Sequence, residues 1–245
     1  MEFENRTAII TGAGSGMGKL ASEKLAEQGA RVVVVDVNRE AAEAVVAGIR
    51  EGGGEATPAV VDVRDYEQVK AAVALAIETY GGIDILINFA GGAAARVWGR
   101  SEGFPDLDLE VIDWGIDVNF RGPIYFARAV LGHMIERGKG VIINLGSVDG
   151  VTGSCAIEYG ASKAGMIGLT KSLALYGAPH GVRACCVSPG PVLTRAAMAN
   201  MKTRLGRAAE PIEIVDLILY LCSDKAAFIT GQNYTIDGGR SIGGL

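Results

Sequence analysis

The sequence predicts one doubly wound α/β domain over residues 1–245, with a seven-stranded parallel sheet flanked by helices on both faces. Short β-branched runs alternate with longer segments of helical period, which indicates alternating strands and helices. Several runs, such as VVVVD and VIINL, are apolar at successive positions, as in strands that helices cover on both sides. Repeats of this kind, joined by right-handed crossovers, build a doubly wound sheet.

The individual elements follow from the same two signals. β-Branched and apolar runs predict strands at residues 7–11, 31–36, 56–62, 83–88, 140–145, 183–187 and 233–236. Helical periodicity predicts the main helices at residues 17–28, 39–51, 66–80, 109–137, 159–178 and 211–221. Ligands of such sheets bind beyond the carboxyl ends of the strands, so functional residues are expected there.

The composition favours a compact protein that binds a small molecule. Hydrophobic residues make up 49% of the chain and charged residues 21%, which suffices for a sizeable core and a subunit interface. The net charge is -5 and the basic residues do not cluster, which disfavours nucleic acid and anionic membranes as partners. No apolar run has membrane-spanning length and no signal peptide is recognisable, so a cytoplasmic location is expected.

The four cysteines are expected to be reduced. Cys185 and Cys186 are adjacent in an apolar run, Cys222 lies in an apolar helical pattern, and Cys155 stands alone. Because none of them has a metal-ligand spacing, no metal site is expected.

A glycine-rich segment follows the first predicted strand and leads directly into a helix. Its glycines have the spacing G-x-x-x-G-x-G at Gly12, Gly16 and Gly18. Glycines here would let a pyrophosphate approach the backbone N–H groups and the positive end of the helix. An ordinary glycine-rich turn is the alternative, but the position between strand and helix favours a Rossmann-type dinucleotide site that includes Ser15 and Met17.

Asp36 ends the second predicted strand, where a carboxylate can accept hydrogen bonds from both hydroxyls of an adenosine ribose. It would repel a phosphate on that ribose by roughly 4 kcal/mol per unit charge at a separation of about 4 Å, for an effective dielectric of about 20. NAD is therefore expected rather than NADP. Val37, which directly follows Asp36, is also expected to contact the cofactor. Asp62 and Val63 end the third strand similarly, and Asp62 either accepts from the adenine amino group or starts the next helix.

Three side chains are expected to surround one substrate oxygen. Tyr159 and Lys163 are four residues apart in a predicted helix, so the phenol and the ammonium share a face. A cation within about 5 Å would lower the tyrosine pKa from about 10 towards the range of efficient acid–base catalysis. Ser147 follows the fifth strand and can bind the substrate oxygen. Each residue alone has a structural explanation, but their joint occurrence behind a dinucleotide loop favours catalysis.

With these motifs, the chain resembles the short-chain dehydrogenase/reductase family over nearly its whole length. The likeness extends to Asn88-Phe89-Ala90-Gly91, to Asp117-Val118-Asn119 and to the segment PGPVLT at residues 189–194. The resemblance implies that Asn119 completes a catalytic tetrad and holds a water that relays protons. It also implies cofactor contacts at the tetrad residues Tyr159 and Lys163 and at Asn88, Ala90, Gly91, Val192 and Thr194, the last two beside the nicotinamide.

The chain departs from the family pattern in two places. Phe89 stands where the family usually repeats asparagine, which removes one side-chain contact to the cofactor. The segment between Thr194 and Arg207 is shorter than the helical lid of many relatives, which predicts a more open site. Residues 92–106 form an enlarged loop that is a candidate cover for it.

The expected activity is the reversible NAD-dependent oxidation of a secondary alcohol of the polyol, sugar or hydroxy acid class, with Tyr159 as acid and base. One alternative is a β-ketoacyl carrier-protein reductase that uses NADPH, which Asp36 disfavours. Another is a non-catalytic dinucleotide sensor on the same fold, which the complete tetrad disfavours.

Substrate contacts are expected in the loop 92–106 and around the tetrad. Arg96 and Arg100 either grip a carboxylate or phosphate or are simply solvated. The candidate substrate residues are Arg96, Trp98, Asp149, Cys155 and Pro191.

The family resemblance also implies a homotetramer, formed through two long helices and the C-terminal segment. The apolar stripes at residues 120–134 and 212–221 either supply these contacts or pack on the sheet.

Overall fold

A computed structural model describes residues 1–242 and confirms the seven-stranded sheet. The strand order is β3-β2-β1-β4-β5-β6-β7, and every neighbouring pair is parallel. Residues 243–245, the last three of the predicted domain, lie outside the described residues. The strands are β1 Thr7–Thr11, β2 Arg31–Asp36, β3 Glu55–Val60, β4 Ile85–Asn88, β5 Gly140–Leu145, β6 Val182–Pro189 and β7 Asn233–Ile236.

Helices cover both faces of this sheet, as expected. The α-helices are α1 Gly16–Glu27, α2 Arg39–Glu51, α3 Tyr66–Tyr80, α4 Ala94–Val97, α5 Leu109–Ile116, α6 Gly122–Glu136, α7 Val148–Thr152, α8 Ile157–Gly177 and α9 Pro211–Cys222. Along β1 and β2, successive residues alternate between two separate cores. Ile10 and Val34 pack with α1, α2 and α9, whereas Ile9 and Val33 pack with α3, α6 and α8. None of the helices within residues 1–242 has the length and apolar character needed to cross a membrane.

Two predicted strands are shorter than expected, because side chains form hydrogen bonds with backbone N–H groups at their ends. The third strand ends at Val60, and the N–H of Asp62 donates to the Gln68 side chain at 2.8 Å instead of to a strand. The fourth strand begins only at Ile85. The preceding Asp84 carboxylate accepts from the Thr7 N–H at 3.0 Å and pairs with Lys139 at 2.9 Å.

The long helix predicted over residues 109–137 is present, but it is not a uniform α-helix. A π-helical segment, Asp117–Arg121, separates α5 from α6. Within it, the Asn119 side-chain amide donates to the carbonyl of Gly115 and to that of Gly92, each at 2.8 Å. Segments of this kind often occur at functional sites, because the extra residue per turn redirects a side chain.

The segment 92–106 is also more ordered than the expected loop. It contains the helix α4 and a 3₁₀ turn at Phe104–Asp106. The segment after Thr194 contains a 3₁₀ turn at Ala196–Asn200, and a bridge between Val192 and Ala209 closes it at its base.

Candidate active site

A cavity of about 620 Å³ opens at the carboxyl ends of the strands. It lies where β2 and β4 flank β1 on opposite sides, so that the strand order reverses, which is the point at which doubly wound sheets bind ligands. Most of the predicted functional residues line it. The predicted residues in its wall are Gly12, Ser15, Gly16, Met17, Gly18, Asp36, Val37, Asp62, Val63, Ala90, Gly91, Arg96, Tyr159, Lys163 and Thr194.

The glycine loop brings the start of α1 close to β4. Gly12 has a φ of +63°, and a Cβ on it would lie 2.8 Å from the N atom of Ala90. A Cβ on Gly18 would overlap the carbonyl oxygen of Gly12. These positions therefore require glycine, and the close packing leaves the first N–H groups of α1 facing the cavity, where an anionic group can bind.

The Asp36 carboxylate is fixed between the glycine loop and the start of α2. One oxygen accepts from the Gly14 N–H at 2.8 Å, and the other accepts from the Asn38 N–H at 2.9 Å. Asp36 is partly buried and Val37 beside it is exposed. A carboxylate has about four acceptor sites, so its oxygens can still accept hydrogen bonds from a ligand in the cavity.

Asp62 does not start the third helix, which was one of its two expected roles. Asp65 does so instead, and its carboxylate accepts from the N–H groups of Glu67 and Gln68. Asp62 pairs with the Arg64 guanidinium at 2.6 Å, and this hydrogen bond holds the pKa of the Asp62 carboxyl below its usual value. Arg64 also lines the cavity and was not predicted.

Lys163 is buried beneath the tyrosine. Its Nζ atom donates to the carbonyl of Leu145 at 2.9 Å and lies 5.6 Å from the centre of the Tyr159 ring. Burial lowers the pKa of Lys163 to about 8, since the low-dielectric surroundings disfavour the ammonium. The Leu145 carbonyl at the end of β5 thus positions the Lys163 side chain. Lys163 lies one turn after Tyr159 in α8, and this hydrogen bond holds its ammonium below the tyrosine ring.

Burial dominates the acidity of the Tyr159 phenol. Without a ligand, the pKa of Tyr159 is raised, chiefly because burial disfavours the phenolate, and the negative charge of Asp149 adds to this. The Ser147 hydroxyl and the charges of Arg96 and Arg195 act in the opposite direction. The lowering of this pKa by the Lys163 ammonium stays a prediction.

Asn119 connects the π-helical segment to the loop after β4. Its Oδ1 atom accepts from the Gly92 N–H at 2.9 Å, and its amide donates to the Gly92 carbonyl. Gly91 has a φ of +155°, and a Cβ on it would overlap Asn119 Oδ1 and lie 3.4 Å from Lys163 Nζ. Asn119 and Lys163 therefore converge on the same side of Gly91, next to the cavity.

Other predicted cofactor residues have supporting positions. Asn88 is buried, and its amide donates to Asn144 at 2.9 Å, outside the cavity lining. Val192 is also buried and lies in the core cluster that contains α1 and α9. The Thr194 methyl group would lie 3.8 Å from a Cβ on Gly16, which places it beside the glycine loop. Phe89 lines the cavity in spite of the departure from the family pattern.

The expected substrate residues divide into two groups. Arg96 lines the cavity, whereas Arg100 pairs with Glu102 and, at 2.8 Å, with Asp108. The residues Trp98, Asp149, Cys155 and Pro191 lie outside the cavity lining, although the Asp149 charge acts on Tyr159. Arg195 lines the cavity and was not predicted. It directly follows the PGPVLT motif, which was the available signal in the sequence.

Comparison with known proteins identifies the family. The model of the short chain dehydrogenase family matches residues 6–205. The chain is 37% identical to cyclohexanol dehydrogenase of Acinetobacter sp. strain SE19, over 97% of this chain and 95% of the relative. It is 34% identical to a 3-oxoacyl-acyl-carrier-protein reductase of Thermotoga maritima, over 99% of this chain and 100% of the relative.

The fold leads to the same family. A solved structure of 7α-hydroxysteroid dehydrogenase, in complex with NADH and 7-oxoglycochenodeoxycholic acid, superposes with a TM-score of 0.89 at 30% identity. The match covers 98% of this chain and 95% of that chain. The sequence motifs, the sheet order and these similarities agree, and the chain is an oxidoreductase of the short-chain dehydrogenase family.

Proposed function

We propose that this protein is an NAD-dependent dehydrogenase that interconverts a secondary alcohol and its ketone. The observation that carries the proposal is that one cavity holds both halves of the required chemistry. At one end lie the glycine loop and Asp36, and at the other lie Tyr159 and Lys163, with the Ser147 hydroxyl acting to lower the pKa of the Tyr159 phenol. The residues present therefore fit a nicotinamide dinucleotide laid across the ends of the strands.

In this proposal, Tyr159 moves the proton. For oxidation, the phenolate of Tyr159 takes the proton of the alcohol, while the Ser147 hydroxyl donates a hydrogen bond to the same substrate oxygen. Lys163, held by the Leu145 carbonyl, supplies positive charge below the ring, and Asn119 holds the adjacent loop in place. The bound cofactor supplies the hydride acceptor in oxidation and the hydride donor in reduction.

Asp36 supports NAD as the cofactor. Its carboxylate stands at the end of β2 and lines the cavity, where it would accept from ribose hydroxyls and repel a ribose phosphate. The solved relative with 30% identity is a complex with NADH, which agrees with this proposal. The similarity to a 3-oxoacyl-acyl-carrier-protein reductase favours a second candidate, a carrier-protein reductase that uses NADPH.

A substrate panel separates the two candidates. The purified protein is offered secondary alcohols, polyols, sugars and hydroxy acids with NAD or NADP, and acetoacetyl carrier protein with NADH or NADPH, while the absorbance of reduced nicotinamide is followed. We expect turnover of one class of alcohol with NAD. NADPH-dependent turnover of the carrier-protein substrate alone would establish the second candidate instead.

A further inference from the structure

Two arginines from different segments line the cavity at its tyrosine end. Arg96 lies in α4, where its Nη2 atom would be 2.9 Å from a Cβ on Gly92, and Arg195 follows β6. Burial raises the pKa of the Tyr159 phenol, and both arginine charges act in the opposite direction. The pKa of Arg96 is lowered, first by burial and then by the charge of Arg195. The two guanidinium groups and the phenol therefore share one electrostatic environment at the reacting end of the cavity.

Neither arginine has a carboxylate partner within residues 1–242. The Arg195 Nη2 atom donates to the Met198 sulfur at 3.7 Å. Other arginines near the cavity differ, since Arg64 pairs with Asp62 and Arg100 pairs with Asp108. Two guanidinium groups that repel each other without a counter-charge form a natural site for an anion, and a guanidinium fork matches a carboxylate in two hydrogen bonds.

We propose that Arg96 and Arg195 bind a carboxylate of the substrate, so that the enzyme acts on a hydroxy acid and its keto acid. The assignment rests on the proposed dehydrogenase function for the hydride step. It places the carboxylate near Tyr159, on whose phenol both arginine charges act. It also replaces Arg100, which the sequence suggested, with Arg195.

Binding of a simple carboxylate tests this assignment without turnover. The protein saturated with NADH is titrated by calorimetry with cyclohexanecarboxylate and, in parallel, with the neutral cyclohexanecarboxamide. We expect the carboxylate to bind at least about ten-fold more tightly than the amide, because charge-assisted hydrogen bonds are about twice as strong as neutral ones. Arg96→Gln and Arg195→Gln should each remove most of this difference, whereas Arg100→Gln, which removes the same charge outside the cavity, should retain it.

Two results would overturn the assignment. One is equal affinity for the carboxylate and the amide, or no binding of either. The other is a loss of NADH affinity in the Arg96 and Arg195 variants at unchanged carboxylate affinity, which would show that the arginines bind the cofactor phosphates. The same protein is assayed for oxidation of cyclohexanol and 4-hydroxycyclohexanecarboxylate with NAD, and the absence of hydride transfer from either alcohol to NAD would contradict the dehydrogenase function separately.

Discussion

Asp36 carries the proposed preference for NAD. In Asp36→Asn, one side-chain oxygen remains to accept from the backbone, but the negative charge that would repel a ribose phosphate is gone. We expect the ratio of kcat/KM for NAD to that for NADP to fall by at least about ten-fold, given a repulsion of several kcal/mol between charges about 4 Å apart. Steady-state kinetics with both cofactors measure this ratio.

Asp65→Asn is the matched control for Asp36. It removes a carboxylate that starts α3 outside the cavity lining, and asparagine starts helices as well as aspartate does. The control should keep the ratio of the parent protein. An unchanged ratio in Asp36→Asn would show that another residue selects the cofactor.

Asp149 is expected to influence the pH dependence of oxidation, because its charge adds to burial in raising the pKa of Tyr159. Its negative charge raises the pKa of the phenol, so Asp149→Asn should lower that pKa. More phenolate is then present at a given pH, and the rising limb of kcat/KM for oxidation should move to lower pH. The exposed Asp113→Asn on α5 serves as the control. A limb that stays in place, or moves to higher pH, would contradict the proposed role of Tyr159 as the base.

For single residues, the sequence predicts relative position where the residues lie close together along one element. Tyr159 and Lys163 lie one turn apart in α8, and Gly12 and Gly18 lie six residues apart where the glycine loop enters α1, so their convergence follows from the sequence. Arg195 comes from a different segment than Arg96, and only the fold brings both into one cavity. The catalytic and cofactor roles of these residues stay predictions.

Two glycines in helices allow the effect of close packing on stability to be measured separately from the effect of helix propensity. A Cβ on Gly18 would overlap the Gly12 carbonyl, whereas a Cβ on Gly48 in α2 would meet no atom within 4 Å. We expect Gly18→Ala to destabilise the protein by about 1–3 kcal/mol and to weaken dinucleotide binding. Gly48→Ala should stabilise it by about 0.5–1 kcal/mol, which raises the thermal midpoint by roughly 1–4 °C.

Thermal unfolding and NADH titration of both variants measure these effects. A Gly18→Ala protein with the midpoint and the NADH affinity of the parent would show that α1 does not pack against the loop as described.

Sequence periodicity predicted the buried strands better than it predicted the π-helical segment and the short helix α4. The strands β1, β2 and β5 begin and end as predicted because continuous apolar runs define them. The π-helical segment between α5 and α6 was missed because apolar periodicity does not reveal it. In this segment the Asn119 side chain donates to the backbone carbonyls of Gly92 and Gly115. The helix α4 was missed because its four residues are too few to show a helical period.

For the whole molecule, we predict a homotetramer. The apolar stripes that the sequence offered for assembly pack inward, with Phe126 and Val130 in one core and Ile218 in the other. Different residues are exposed instead, among them Leu175 in α8, at 80%, and Phe228 after α9. We expect these side chains to contribute to the subunit contacts that the family resemblance implies.

Light scattering behind a sizing column tests this assembly. We expect a mass of four times the 25.4 kDa chain, and a smaller particle for Leu175→Asp. Arg50→Asp on α2 provides a control. A monomer mass for the parent protein would contradict the prediction.

The most direct test of the central claim is the hydride-transfer rate of Tyr159→Phe. With the alcohol that the panel identifies and with NAD, we expect kcat to fall by at least about 100-fold, which is the range lost when a general acid–base group is removed. The affinity for NADH should stay close to that of the parent, because Asp36 and the glycine loop remain. Near-normal turnover by Tyr159→Phe would show that this phenol does not carry the proton.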